Sequence, residues 1–190
     1  MAIRTLGDVV GDYIARFRGR QRREARWFAI QRTLDDAIER AAMAVSPGGK
    51  RLHHQRRIPR AVLRAWADAL LERRDDIQAS KTFRAMMDIL SDVGGELHGI
   101  GRLTVYDTAT RIGAFLKLEP DRVYLHAGTR EGARAFGLHQ RESFASTDLP
   151  NAFRRLSPGE IEDCLCICKR ELGSIARDEW HASRTTRAHR

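Results

Sequence analysis

Apolar residues recur every three or four positions along most of this sequence, and that interval places them on one face of an α-helix. The alternation of apolar and polar residues that marks a half-buried strand has no useful length anywhere, and Val123–His126 is too short to predict one. The sequence therefore predicts an all-α fold of seven or more helices. We expect one helical domain over 1–178, followed by a basic, disordered tail at 179–190. The helical pattern is clearest at 6–17, 27–45, 59–70, 80–93, 103–116 and 157–175.

Residue types that favour helix ends bound several of these segments. Thr5, Ser80 and Ser157 are predicted N-caps, because a hydroxyl oxygen accepts a hydrogen bond from an N–H group of the first turn. Glu160 completes a capping box with Ser157. Gly19 is expected to interrupt the helical structure between the first two helices.

Charge narrows the class of partner. The 190-residue chain has a formal net charge of +9, which favours nucleic acid, an acidic membrane surface or an acidic protein partner. Only four of the 34 basic residues are lysines, a bias that a GC-rich genome also produces. No stretch approaches the roughly 20 apolar residues of a membrane span, and acidic residues stand where a signal peptide has its apolar run. We therefore expect a cytoplasmic protein without a membrane partner, associated with the bacterial nucleoid if it binds DNA.

Three cysteines lie together in the segment CLCICK, at Cys164, Cys166 and Cys168. An odd number on one helix does not form a disulfide framework. Cys164 and Cys168 are four residues apart and share a helix face, where we expect them to pack as small apolar side chains. A metal site needs a second group of Cys or His ligands nearby. We predict neither a metal ion nor another cofactor.

A glycine–isoleucine–glycine triplet precedes the helix predicted to start near residue 103. Two glycines let the backbone approach a ligand closely and adopt positive φ. The unpaired N–H groups and the positive end of the dipole at a helix start suit an anion. The alternative is a tight turn without a ligand. On the first interpretation a DNA phosphate is bound by Gly99, Ile100, Gly101, Arg102 and Thr104, and Ile100 also anchors the turn in the core.

The segment LHGIGRLTVYDTATRIG resembles the helix-hairpin-helix of the base-excision DNA glycosylases of the endonuclease III superfamily, and the resemblance extends over 97–127. It places a hairpin at about 83–118, with His98 in place of the usual proline or apolar residue before the first glycine. Some twenty residues after the hairpin, the family has a Val-Asp-x-His-like segment whose Asp is catalytic. In the matching VYLHA of this chain, His126 stands at the family His and Tyr124 at the Asp.

The resemblance implies chemistry that requires a carboxylate close to the hairpin. Cleavage of an N-glycosidic bond builds positive charge on the sugar, and a carboxylate stabilises that charge or activates water. The candidate carboxylates are Asp107, Glu119 and Asp121. His126 is a candidate acid/base or a residue that orients a water, and Tyr124 is a candidate to stack on a flipped base or bind a phosphate. Three of these residues have a simpler alternative: Asp107 as one half of a surface ion pair with Arg111, Asp121 as a helix cap, and His126 as a structural histidine.

Two further segments are candidates for contact with DNA. One directly follows VYLHA and is predicted to form a second helix start that faces a phosphate. The other belongs to the loop at 46–59, which is rich in Gly, Pro and basic residues and contacts DNA or solvent. The residues are Gly128, Thr129, Arg130, His53, His54 and Arg56.

These features predict a DNA glycosylase-like enzyme that flips a damaged or modified base out of double-stranded DNA and excises it, leaving an abasic site. Bifunctional members of the family use a lysine just after the Gly-x-Gly, where this chain has Leu103, so we expect monofunctional activity. Modified phage DNA is one substrate class that this interpretation suggests. The protein is expected to be a monomer. The alternatives are a non-enzymatic helix-hairpin-helix DNA-binding protein and a helical protein–protein adaptor.

Overall fold

A computed structural model describes residues 4–175, apart from the side chain of His53. Helices predominate in this range and only two short strands occur, so the predicted all-α fold class is confirmed. The predicted tail at 179–190 lies outside the described residues. The elements are α1 (Leu6–Arg16), α2 (Arg18–Ala29), α3 (Leu34–Ala42), α4 (Arg60–Glu72), α5 (Arg74–Ala79), α6 (Phe83–Gly95), α7 (Arg102–Leu116), α8 (Ala127–Ala133) and α9 (Pro158–Ile167), with β1 (Val123–Tyr124) and β2 (Ser143–Phe144). Short 3-10 turns occur at His53–Gln55, Arg134–Phe136, Ser146–Asp148 and Asn151–Arg155.

The chain divides into two compact units. The central unit is Gln21–Pro120, and the terminal unit combines the described segments on either side of it, 4–20 and 121–175. The single domain expected over 1–178 stays a prediction. Over residues 4–175, no helix combines the length and the apolar character that a membrane crossing requires.

The core of the central unit forms where α3, α4, α6 and α7 pack together. Trp66 of α4 is fully buried, and its Nε1 donates a hydrogen bond to Oγ1 of Thr108 in α7 at 3.2 Å. A Cβ added to Gly94 near the end of α6 would lie 2.8 Å from Cγ2 of Val105, so this glycine allows α6 and α7 to approach closely. The packing therefore holds both helices that flank the glycine triplet. Other fully buried side chains here are Ile38, Leu63, Leu70, Met86, Leu90 and Ile112.

The terminal unit has its own apolar core, to which α1, α8, α9 and the strand pair contribute. Its closest helix contact is between α8 and α9, where a Cβ on Gly132 would lie 2.2 Å from the carbonyl oxygen of Leu165. The N-terminal segment is tied into the same core, because the hydroxyl of Tyr13 donates a hydrogen bond to Oδ2 of Asp163 at 2.9 Å.

Two predicted N-caps are confirmed. Thr5 and Ser157 each accept a hydrogen bond from the first turn of their helix and form capping boxes with Asp8 and Glu160. The helix predicted after Ser157 is interrupted at Cys168, and the backbone is helical again beyond it. The capping chemistry therefore located the helix starts correctly but not this interruption.

Other predicted helix ends are wrong. The single helix expected over 27–45 is two helices, because Thr33 caps a new one by accepting a hydrogen bond at 3.0 Å from an N–H of the first turn of α3. Gly19 does not interrupt the helical structure but lies inside α2. Ser80 ends α5, and Thr82 is the N-cap of α6. Apolar periodicity continues across such short interruptions and does not reveal them.

A strand pair that periodicity did not predict leads into α8. Val123 of β1 is opposite Phe144 of β2 in an antiparallel pair, and both side chains are fully buried. The N–H of Leu125 donates to the carbonyl of Glu142 at 2.9 Å. This pairing fixes the segment that ends at His126, the N-cap of α8.

Candidate functional site

The glycine triplet forms the turn between α6 and α7. Gly99 has φ of +94°, a conformation that side-chain-bearing residues rarely adopt, and a Cβ there would also lie 3.3 Å from Cγ1 of Val62. Gly101 is the N-cap of α7 with an extended backbone, and a Cβ on it would meet nothing within 4 Å. Only Gly99 is therefore required by backbone geometry, whereas Gly101 leaves open space at the start of the helix.

The start of α7 is exposed and has no side-chain cap. Gly101 supplies no capping oxygen, and the first N–H groups of an α-helix have no intrahelical partner. Gly99, Gly101 and Arg102 are exposed, whereas Ile100 is half-buried and its Cγ2 lies 3.3 Å from the position of a Cβ on Gly94. Ile100 thus anchors the turn as predicted. Binding of a phosphate here stays a prediction.

Thr104, also assigned to this phosphate site, is placed differently. Its side chain is buried, so in this conformation only its backbone N–H belongs to the exposed helix start. A direct contact between the Thr104 hydroxyl and DNA is not available.

Asp107, five residues into α7, belongs to a polar cluster that is largely buried. Its Oδ2 accepts a hydrogen bond from Nε2 of Gln55 at 2.5 Å and lies 3.6 Å from a guanidinium nitrogen of Arg111. Nδ1 of His54 is also 3.6 Å from this oxygen, and the His54 side chain is 54% exposed. The cluster therefore reaches the surface at His54, while Gln55 is completely enclosed.

Arg111 is the cation at the centre of this cluster. Its guanidinium lies 3.4 Å from Oε1 of Glu24, from the backbone oxygen of Ala41 and from Oε1 of Gln55. It also stacks over the ring of Phe28, 5.8 Å from the centroid. Only 8% of the Arg111 side chain is exposed, so the interpretation of Asp107 and Arg111 as a surface ion pair is wrong. They form a buried pair that joins α7 to α2, α3 and the loop at 46–59.

The environment of Asp107 favours its charged form. Burial opposes ionisation, but the polar contact with His54, the charge of Arg111 and the hydrogen bond from Gln55 together hold the pKa of Asp107 below its usual range. An ionised carboxylate is thus maintained beside an exposed histidine, on the helix that begins at the glycine turn.

The loop residues predicted to contact DNA have different positions. His54 and Arg56 are exposed, and Nε of Arg56 donates to the carbonyl of Arg51 at 3.4 Å. The side chain of His53 lies outside the described part of the chain. Gln55, between them, was not predicted to matter, yet it contacts both Asp107 and Arg111. No local signal identifies a buried glutamine in a polar loop.

A second polar cluster lies in the terminal unit, around His126. This side chain is buried, and its Nε2 is hydrogen-bonded to Oε1 of Glu162 in α9. The hydroxyl of Thr129 donates to the same carboxylate oxygen at 2.6 Å and lies 2.8 Å from Nε2 of His126. Thr129 is fully buried. The three side chains hold α8 against α9, and Thr129 has no surface to offer to a phosphate.

The neighbours of Thr129 also have structural contacts. A Cβ on Gly128 would lie 2.6 Å from Sγ of Cys166, so this glycine serves the packing of α8 on α9. Arg130 donates hydrogen bonds to the carbonyls of His139 and Arg141, at 2.6 and 3.2 Å. The predicted second phosphate site at 128–130 thus coincides with residues that brace the terminal unit.

Asp121 and Tyr124 lie at the start of the strand pair. Asp121 is exposed, and its Oδ1 accepts a hydrogen bond from the hydroxyl of Tyr124 at 3.4 Å. Asp121 does not cap a helix, because the residues that follow it form β1. Asp107 belongs to the same compact unit as the glycine turn, whereas Asp121, Tyr124 and His126 belong to the terminal unit.

The cysteines are free, and two of them are buried as predicted for Cys164 and Cys168. Within residues 4–175, no group of three or more His, Cys, Asp or Glu side chains could hold a metal ion. Comparison with protein-family models, curated sequences and solved structures found no match.

Proposed function

We propose that this protein binds the backbone of duplex DNA at the turn between α6 and α7 and excises a base, leaving an abasic site. The observation that carries the proposal is the position of Asp107. This carboxylate, held in its charged form, lies on the helix whose exposed start is Gly101. The exposed side chain of His54, 3.6 Å away, connects the carboxylate to the protein surface.

The binding step is supported by the geometry of the turn. A phosphate oxygen at the start of α7 would accept hydrogen bonds from backbone N–H groups, with the positive end of the helix dipole behind them. Gly99 and Gly101 are exposed and carry no side chain, so a ligand can approach the backbone directly. Contacts of this kind read the DNA backbone and are independent of base sequence.

The chemical step is supported by the Asp107–His54 pair. Departure of a base builds positive charge on the sugar, which a fixed carboxylate stabilises. His54, 3.6 Å from Asp107, is the group that would accept a proton from the attacking water. Asp107 follows the N-cap Gly101 by six residues, roughly 9 Å along the helix axis, so a phosphate at the turn and a sugar near Asp107 would be neighbours on one strand.

The binding step is tested with Gly101→Val, since a side chain at this position meets no atom within 4 Å and fits an extended backbone. The affinity for a random duplex should fall about tenfold, the scale of lost hydrogen bonds to a charged group, while the circular dichroism is unchanged. Gly173→Val, also at an open position, is the matched control. Equal affinity of both variants would leave the glycine triplet as a turn only.

The chemical step is tested by incubation with duplexes that carry different modified bases, including the bulky bases of phage genomes, and by detection of abasic sites. Asp107→Asn should abolish product formation without weakening DNA binding, and an unchanged circular dichroism must show that loss of the ion pair with Arg111 has not unfolded the variant. Asp121→Asn should have no effect. Product formation by Asp107→Asn at the wild-type rate would contradict the assignment.

A second candidate function, a non-enzymatic DNA-binding protein, is favoured by Tyr124 at the position of the family Asp and by the three partners that already engage Asp107. Steep salt dependence of DNA binding without any abasic product would favour this candidate. A flat salt response would favour the helical adaptor instead.

A further inference from the structure

The part of α2 within the central unit has an unusual distribution of charge. Among its residues only Phe28 is buried, and its single acidic residue, Glu24, is turned inward to Arg111. Arg23 and Arg26 are exposed on the opposite side of the helix. The surface of this segment is therefore basic without an acidic residue to balance it.

A third arginine is fixed beside this pair. Arg40 of α3 is exposed, and its guanidinium lies 5.7 Å from the ring centroid of Trp27 in α2, a cation–π contact. Trp27 follows Arg23 by four residues, so they share a helix face. The aromatic ring thus holds Arg40 close to the arginines of α2. We call Arg23, Arg26 and Arg40 the arginine face.

The carboxylates nearest in sequence are engaged elsewhere or too distant. Glu39 forms an ion pair with Arg64 at 2.7 Å, and among the described residues Asp36 and Arg40 form no ion pair. Within residues 4–175, no carboxylate oxygen lies within 4 Å of the guanidinium of Arg23 or Arg26. Like charges three residues apart on a helix destabilise it slightly, and an anionic partner would relieve that repulsion.

We propose that the arginine face is a second contact with duplex DNA, which binds backbone phosphates independently of the turn between α6 and α7. Arginine suits this partner because its planar guanidinium donates two hydrogen bonds to one phosphate. The cation–π contact fixes Arg40 before binding, which reduces the entropy lost on association.

The arginine face and the turn between α6 and α7 belong to the same compact unit. Because Glu24 faces Arg111 while Arg23 and Arg26 lie on the opposite side of α2, the arginine face is directed away from α7. It is therefore a contact separate from the turn. The proposal rests on the DNA-binding part of the proposed function and does not require base excision.

The test is the dependence of affinity for a random duplex on salt concentration. The slope of log K against log salt is negative, and each phosphate contact that is lost reduces its magnitude by about 0.9. The variant R23Q/R26Q/R40Q should therefore reduce the magnitude of the slope by about 2 to 3. The control R134Q/R154Q/R170Q removes the same charge from exposed arginines of the terminal unit and should change it much less. R23K/R26K/R40K, which keeps the charge, should retain most of the wild-type slope.

The possible results separate the two proposals. A steep wild-type slope that R23Q/R26Q/R40Q and the control lower equally would overturn the arginine face alone and leave binding at the turn intact. A flat wild-type slope would overturn DNA binding altogether. If R23Q/R26Q/R40Q loses affinity only for vesicles of phosphatidylcholine and phosphatidylserine, with its DNA binding unchanged, the partner is a membrane surface and the proposal is wrong.

Discussion

Replacement of Arg111 by methionine should strongly destabilise the central unit. Methionine keeps much of the aliphatic volume but removes the cation between Glu24 and Asp107, which approach it at 3.4 and 3.6 Å. Removal of one partner from a buried ion pair costs about 3–5 kcal/mol, because the other charge stays buried without compensation. This is a large part of the 5–15 kcal/mol that typically separates a folded protein from its unfolded state.

The measurement is urea unfolding followed by tryptophan fluorescence, since Trp66 is fully buried in this unit. With an m-value of about 2 kcal/mol per molar, the loss corresponds to a midpoint lower by about 2 M. Arg64→Met is the matched control, because Arg64 pairs with Glu39 at the surface, where both side chains are nearly half exposed. Its midpoint should move very little.

The pH dependence gives a second, independent readout. In the wild type the pKa of Asp107 is lowered, so its contribution to stability is present above the unfolded pKa and is lost as pH falls through the folded one. Without the charge of Arg111, the folded pKa of Asp107 lies higher than in the wild type, so less of this contribution remains to be lost on acidification. The stability difference between wild type and Arg111→Met should therefore shrink as the pH falls below about 5. A constant difference, or a midpoint equal to that of Arg64→Met, would refute the buried-pair argument.

Three further predictions concern stability and reaction type. Lys117 is exposed with φ of 59° at the end of α7. Lys117→Gly should relieve roughly 1 kcal/mol of left-handed backbone strain and raise the melting temperature by about 2–4 °C. Lys117→Ala keeps a side chain at this φ and should not raise it. Gly132→Ala should destabilise the terminal unit by about 1–3 kcal/mol, because its Cβ would meet Leu165. Gly11→Ala in α1, where a Cβ meets no atom within 4 Å, should stabilise it by about 0.5–1 kcal/mol. A calorimetric shift opposite in sign to either prediction would contradict that assignment. Borohydride during turnover should trap no covalent protein–DNA complex. Leu103 offers no amine, and Lys117 is at the far end of the 15-residue α7, about 20 Å from Leu103. A trapped complex would exclude the water-based route.

Local chemistry predicted the fold class and several helix starts, because these depend on neighbours in sequence. Thr5 and Ser157 cap their helices as expected, and the apolar stripe of α7 is correctly placed. The break between α2 and α3 was missed because Trp27 and Leu34 continue the helical period across it. The Gly-rich turn was recognisable because its geometry is local.

The polar clusters could not be predicted, because their members are far apart in the sequence. Gln55 and Asp107 are separated by 52 positions, and Glu162 follows His126 by 36. A glutamine in a polar loop and a glutamate on an amphipathic helix have the same local pattern whether they face solvent or a buried partner. Thr129 was assigned to DNA for this reason, and only the packing of α8 on α9 reveals its burial.

The two segments of the terminal unit are synthesised at different times, because the whole central unit lies between them in the sequence. The hydroxyl of Tyr13 meets Asp163, 150 positions later in the chain. At about 5–20 residues per second, a ribosome takes roughly 8–30 s to make the intervening chain. Until residue 121 is made, the apolar face of α1 has no partner from the rest of its own unit, and Gln21–Pro120 is by then complete in sequence. We therefore expect a nascent chain to protect its central unit from protease first, and α1 to become protected only after α9 has been released from the ribosome.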